Sequence, residues 1–138
     1  MIDETNAVNA EVMAWLKAHR NPDPPPGPSW SIVEGYELHS HPDLCEQLDS
    51  LPGDDHQVDK FFSHGFRVHS RGGIIFALAP AMWDVALRCP EDKLIGLEKP
   101  FRDAGKDWVL VKAFGNGLLK EYYETAYRYA SGLAPTRL

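Results

Sequence analysis

The chain predicts an α+β fold, an antiparallel meander sheet of about four strands packed by an N-terminal and a C-terminal helix. Three observations carry this. Apolar residues recur at three- and four-residue steps near both ends, from Thr5 to His19 and from Leu119 to Gly132. The middle instead alternates with a period of two, as in Phe66-Arg67-Val68-His69 and Trp83-Asp84-Val85-Ala86-Leu87. Between the alternating runs stand Gly72-Gly73, of the kind that closes a tight hairpin, and Pro80-Ala81, which ends a strand.

At 138 residues the chain has the size of one domain, residues 1–138, able to bury roughly two thirds of its unfolded surface. Its 43% hydrophobic and 25% charged residues are those of an ordinary globular protein, which excludes disordered and fibrous classes. No apolar run reaches the ~20 residues of a membrane span, and Met1-Ile-Asp-Glu-Thr lacks the basic-then-apolar order of a secretory signal. A soluble, unprocessed, cytoplasmic protein is expected. Cys45 and Cys89 have no metal-type or redox-type spacing and are expected as reduced, buried thiols. The net charge of −6 opposes generic binding to nucleic acid or anionic membrane, where phosphate neutralisation supplies most of the affinity.

In the first helix Val8, Val12, Met13, Trp15 and Leu16 form one stripe. Asn21-Pro-Asp-Pro-Pro-Pro-Gly-Pro then removes backbone donors and fixes φ, which makes residues 21–29 an extended linker from that helix to the rest. After a short apolar stretch, Trp30 to Val33, Ser40-His41-Pro42-Asp43 reads as a helix start with a capping hydroxyl, a first-turn proline and an acid at the positive dipole end. Leu44, Leu48 and Leu51 give this helix its apolar face, and Pro52-Gly53 stops it. Residues 54–64 fit either a turn or a short helix.

Phe66 to Arg71 reads as a half-exposed strand, with Phe66 and Val68 inward and Arg67, His69 and Arg71 outward. Ile74 to Ala79 is apolar on both faces, as suits a central strand. A third strand carries Val85, Leu87 and Cys89 on one side and Asp84, Ala86 and Arg88 on the other. Pro90-Glu91-Asp92 opens a short helix closed by Pro100, and Trp108 to Phe114 forms the fourth strand. Gly115-Asn116-Gly117 breaks it before the tyrosine-rich last helix. There Tyr122, Tyr123, Tyr127 and Tyr129 cover the sheet, or in part line a pocket or dimer contact.

The order Gly65-Phe-Arg-Val, Gly-Gly-Ile-Ile-Phe-Ala-Leu, Asp84-Val-Ala-Leu-Arg-Cys-Pro-Glu, Lys106-Asp-Trp-Val-Leu-Val and a closing Tyr-rich helix resembles the MmcQ/YjbR-like proteins over about residues 60–131. The resemblance implies a small α+β fold with an antiparallel sheet, and a DNA-binding label. Trp108 matches the tryptophan of that pattern. The first 60 residues, including the proline linker, have no counterpart in it.

No nucleophile elbow, reactive cysteine environment or phosphate-binding glycine loop occurs, so no catalytic motif is identified and no cofactor is expected. Ligand binding is expected from Arg67, His69 and Arg71 on the outer side of their strand, joined by Arg88 if the meander brings it alongside. Guanidinium groups there suit a carboxylate or phosphate held bidentately. The same pattern also suits solvated charges that deter edge pairing. The leading expectation is a non-catalytic binding or regulatory module for an anionic small molecule or protein partner. The alternatives are a metal-dependent hydrolase using His39 and His41 with a nearby carboxylate such as Asp43, and, by resemblance alone, a DNA-binding protein.

Overall fold

The structure is a computed structural model that describes residues 7–19, 31–33, 36–38, 42–80, 83–89, 99–102, 104–105 and 107–133. A single 3-10 turn, Ala7–Asn9, leads into α1, Ala10–His19. Two short strands, β1 (Ser31–Val33) and β2 (Tyr36–Leu38), pair with each other, and α2 spans Pro42–Asp49. The main sheet is built from β3 (Asp59–Ser63), β4 (Phe66–Arg71), β5 (Ile74–Ala79), β6 (Asp84–Arg88), β7 (Lys99–Pro100) and β8 (Trp108–Lys112). The last helix, α3, is Leu119–Leu133.

The α+β class with an antiparallel sheet is as the sequence predicts, with six strands instead of four, in the order β3-β4-β5-β6-β8-β7. The two additional strands are both edges. Residues 54–64, which fit turn or short helix, contain β3, whose exposed residues obscure any alternation. Pro100 stands in β7 and pairs with Val109 at the other edge, where a missing backbone donor is tolerated. The short helix expected after Pro90 and the proline linker lie outside the described residues.

The β3–β4 and β4–β5 turns have left-handed backbone at their two central residues, His64 and Gly65 (φ 55° and 88°) and Gly72 and Gly73 (φ 57° and 86°). Such turns match the twist of the strands they join. Between β4 and β5 the register shifts after His69: His69 faces Ala77 and Ser70 faces Ile75, so Phe76 is an extra residue. That bulge lets Phe76 and Ala77 both serve the same core.

Helices cover both faces. On one, Leu44, Leu48 and Leu51 from α2 and its exit pack with Tyr122, Tyr123, Ala126, Tyr127 and Ala130 of α3 over Ile74, Phe76, Val85, Leu87, Val109 and Val111. On the other, Val12, Met13 and Leu16 of α1 pack on Phe66, Val68, Ile75, Leu78, Ala86 and Trp108. Trp15 supports this second core edge-on to Phe101 and tilted on Phe66. The alternation that places these side chains is the one the sequence displays.

Asn9 fastens the start of α1 to the sheet. Its side-chain amide donates to Gly73 O (2.9 Å), and its Oδ1 accepts from Ile75 N–H (3.1 Å). Asn9→Ala leaves these buried backbone groups without their partner, and urea titration should show a loss of about 1–3 kcal/mol.

Candidate functional site

Three of the four residues expected to bind a ligand, Arg67, His69 and Arg71, do share one side of β4, but that side faces α2 and α3, not solvent. His69 is fully buried, which corrects the half-exposed reading of this strand. The reason lies in residues remote in sequence: the C-terminal end of α2 brings Asp49 over the strand. Arg67 grips its carboxylate with Nε on Oδ1 (3.0 Å) and Nη2 on Oδ2 (2.8 Å). His69 Nε2 donates to Oδ1 at 2.7 Å, and His69 Nδ1 accepts from the Tyr123 hydroxyl at 2.7 Å. Lys60 Nζ closes the group by donating to the Asp49 carbonyl (3.0 Å).

The electrostatics follow from this chain of donors. Burial pushes His69 below the ordinary imidazole value, and the hydrogen bond and charge of Asp49 only partly oppose it. His69 is therefore a neutral imidazole carrying its hydrogen on Nε2. Burial by itself raises Asp49, yet the hydrogen bonds from His69 and Arg67 and the Arg67 charge outweigh it and hold the carboxyl below its usual value. Tyr123 is raised well above the phenol range by burial and then by the Asp49 charge, so it stays a donor. Arg67 also lies over its cross-strand neighbour Phe62, 4.8 Å from the ring centroid.

Beside this group, Tyr127 anchors a second one. Arg71 stacks 3.9 Å from its ring centroid and donates from Nη1 to its carbonyl (3.2 Å). His56 stacks on the same ring at 4.1 Å. His56 Nδ1 accepts from Gly53 N–H (2.9 Å), which leaves its hydrogen on Nε2, facing the Glu124 carboxylate. The Tyr127 hydroxyl accepts from Gln57 N–H (2.9 Å). Unlike Arg67, Arg71 forms no ion pair among the described residues.

Arg88 does not join the other three. It alternates with Val85 and Leu87, which face α3, so its side chain enters the α1 face. There its Nε donates to Ile75 O (2.7 Å), its Nη2 reaches Asn9 Oδ1 (3.5 Å), and its guanidinium carbon lies 4.9 Å from the Trp108 ring centroid. It is 6% exposed and has no ion pair among the described residues. Burial pushes it down to about 10, partly offset by the through-space charges of Tyr129, Asp107 and Glu11. The single recognition surface expected from four cations is thus divided between opposite faces.

Other expectations can be placed. Cys89 is buried, whereas Cys45 is half-buried on α2. Tyr122, Tyr123 and Tyr127 cover the sheet, and Tyr129 reaches its margin to donate to Asp107 Oδ2 (2.6 Å). His39 and His41 lie outside the described residues, and among those described no three His, Cys, Asp or Glu side chains gather as metal ligands. Asp49, Tyr123 and Trp108 are the residues sequence reasoning leaves out of the site. A cue existed for Asp49, an acid at the end of an amphipathic helix, but nothing local points it at β4. Among the described residues no helix is long and apolar enough to cross a membrane.

Comparison of the chain with family models, with curated proteins and with solved structures finds no match.

Two outcomes test the Asp49 network. Tyr123→Phe leaves His69 Nδ1 buried without its donor and should cost about 1–3 kcal/mol in urea. The pH dependence separates the titrating members. Unfolded His69 takes a proton near 6.5 while the folded residue does not, so its contribution is complete above pH 6.5 and is lost as pH falls from there through the lowered folded value. Asp49 adds a second loss below 3.8, as pH falls through its own lowered folded value. In His69→Gln the urea midpoint should lose the part of its pH slope that begins at 6.5 and keep the more acidic part.

Proposed function

We propose that this protein is a non-catalytic binding module for an anionic ligand. The observation that supports the reading is an imbalance among its cations. Arg67 and His69 are satisfied by Asp49, whereas half-buried Arg71 and buried Arg88 hold no carboxylate among the described residues. Guanidinium groups withdrawn from water are ordinarily paired, because leaving them alone forfeits hydration without return. In a chain of net charge −6, two such groups without a counter-ion are suited to an anion brought from outside. The His69, Asp49 and Tyr123 constellation does not support a catalytic reading in the same way: His69 and Tyr123 are fully buried, and each hydrogen bond of the imidazole is already used inside the protein.

Thermal unfolding in a panel of acetate, phosphate and citrate at constant ionic strength tests the proposal. At least one anion should raise the midpoint saturably, and the Arg71→Ala/Arg88→Ala double variant should lose the effect. No response to any anion, or an undiminished response in the double variant, overturns it. Zinc and a short DNA duplex belong in the same panel. A shift with zinc would point instead to the hydrolase with His39 and His41, and a salt-sensitive shift with DNA to the label carried by the family resemblance.

A further inference from the structure

We infer that Arg88, the indole N–H of Trp108 and the bare backbone of Gly105 form a seat for a small carboxylate on the α1 face of the sheet. This deepens the anion-binding reading and rests on it. Arg88 and Trp108 are opposed across the β6–β8 ladder, and the guanidinium leans over the indole ring at 4.9 Å. Among the described residues two of the Arg88 nitrogens have acceptors, Nε on Ile75 O and Nη2, at long range, on Asn9 Oδ1. Its Nη1 has none among the described residues.

Trp108 Nε1 is the one buried side-chain nitrogen or oxygen among the described residues without a hydrogen-bond partner. More than nine in ten buried polar groups in folded proteins are paired, about as a rule, so this donor and the neighbouring guanidinium together lack an acceptor. Gly105 bears directly on this edge of the indole. Its φ is 141°, and a Cβ there would lie 3.1 Å from Trp108 Cδ1 and 3.7 Å from Nε1. A side chain at residue 105 would crowd this edge of the indole, and the Glu11 Cβ lies 3.9 Å from the same point.

The surroundings favour a carboxylate over a phosphate. Asp107 and Glu11 act on Arg88 through space without pairing with it, and Asp107 already accepts the Tyr129 hydroxyl. A monoanion placed among two carboxylates meets less repulsion than a dianion. Its two oxygens suit two donors, one guanidinium edge and one indole N–H. With Arg88 6% exposed and Trp108 fully buried, the surface of a protein is excluded as the ligand.

The test is a titration of the full chain with sodium formate and sodium acetate, followed by the indole N–H resonances of its four tryptophans, with chloride and phosphate at matched ionic strength as comparators. The Trp108 signal is assigned by its disappearance in Trp108→Phe. It should move saturably with formate or acetate and not with chloride. Arg88→Gln should weaken the response by about ten- to hundredfold, and Trp108→Phe should weaken the carboxylate-induced thermal shift by about fivefold. Lys120→Ala, which removes an exposed cation of α3, should leave both unchanged. If Arg88→Gln does not fold, Arg88→Lys, which keeps the charge and loses the fork, takes its place with Trp108→Phe.

An indole signal indifferent to carboxylates, or a response that survives intact in the Arg88 variant, overturns the seat. Tighter binding of phosphate than of acetate overturns the carboxylate assignment. A carboxylate-induced thermal shift lost in Arg71→Ala but kept in Arg88→Gln overturns the seat while sparing the binding reading. Absence of any anion effect overturns both.

Discussion

Covering both faces of an antiparallel sheet is the constraint on which the arrangement of this molecule depends. An antiparallel sheet with one face in water can discharge its polar side chains into solvent. Here α1 closes one side and α2 with α3 the other, so any polar residue on β4 or β6 has to find its partner within the protein. That requirement explains why Asp49 sits at the end of α2, why Tyr123 presents its hydroxyl to an imidazole from an otherwise apolar helix face, and why Asn9 bridges the turn and strand below it. It also makes the exceptions conspicuous.

The two faces resolve the requirement differently. Around His69, beneath α3, the solution is closed: Asp49 receives donors from two side chains of β4, and the imidazole between carboxylate and phenol has no bonding capacity left over. Beneath α1 it is open, since Arg88 and Trp108 offer more donors than Ile75 and Asn9 accept. Low local dielectric strengthens satisfied bonds and magnifies the cost of unsatisfied ones, so the two sites differ in how completely their buried donors are matched.

Much of the architecture was legible because period and punctuation are local properties. The α1 stripe, the Gly72-Gly73 hairpin, the central run Ile74–Ala79 and the amphipathic α3 all appear in the order and class that their residues announce. The edges were less legible. Strand β3 has little burial to impose alternation, and β7 is two residues long with a proline. The site was legible only as a list of cations, and its geometry was not. Alternation says that Arg88 opposes Val85 and Leu87, but linking that parity to β4 requires counting across β5. Six consecutive apolar residues carry no alternation to count, and the extra residue Phe76 shifts the phase within them. The partner Asp49 could not be inferred either, because its meeting with Arg67 is a product of tertiary packing.

The paired left-handed turns also bear on how the chain assembles. Strands β3, β4 and β5 lie within residues 59–79 and are joined by two-residue loops, so their ladders form with minimal loss of chain freedom. Strand β8 instead enters between β6 and β7 after the chain has travelled out to the margin and returned. The ladder therefore has a nearby half and a distant half, and Arg88 and Trp108 meet across the distant one. Their contact forms only when the part of the sheet with the longest connections is in place.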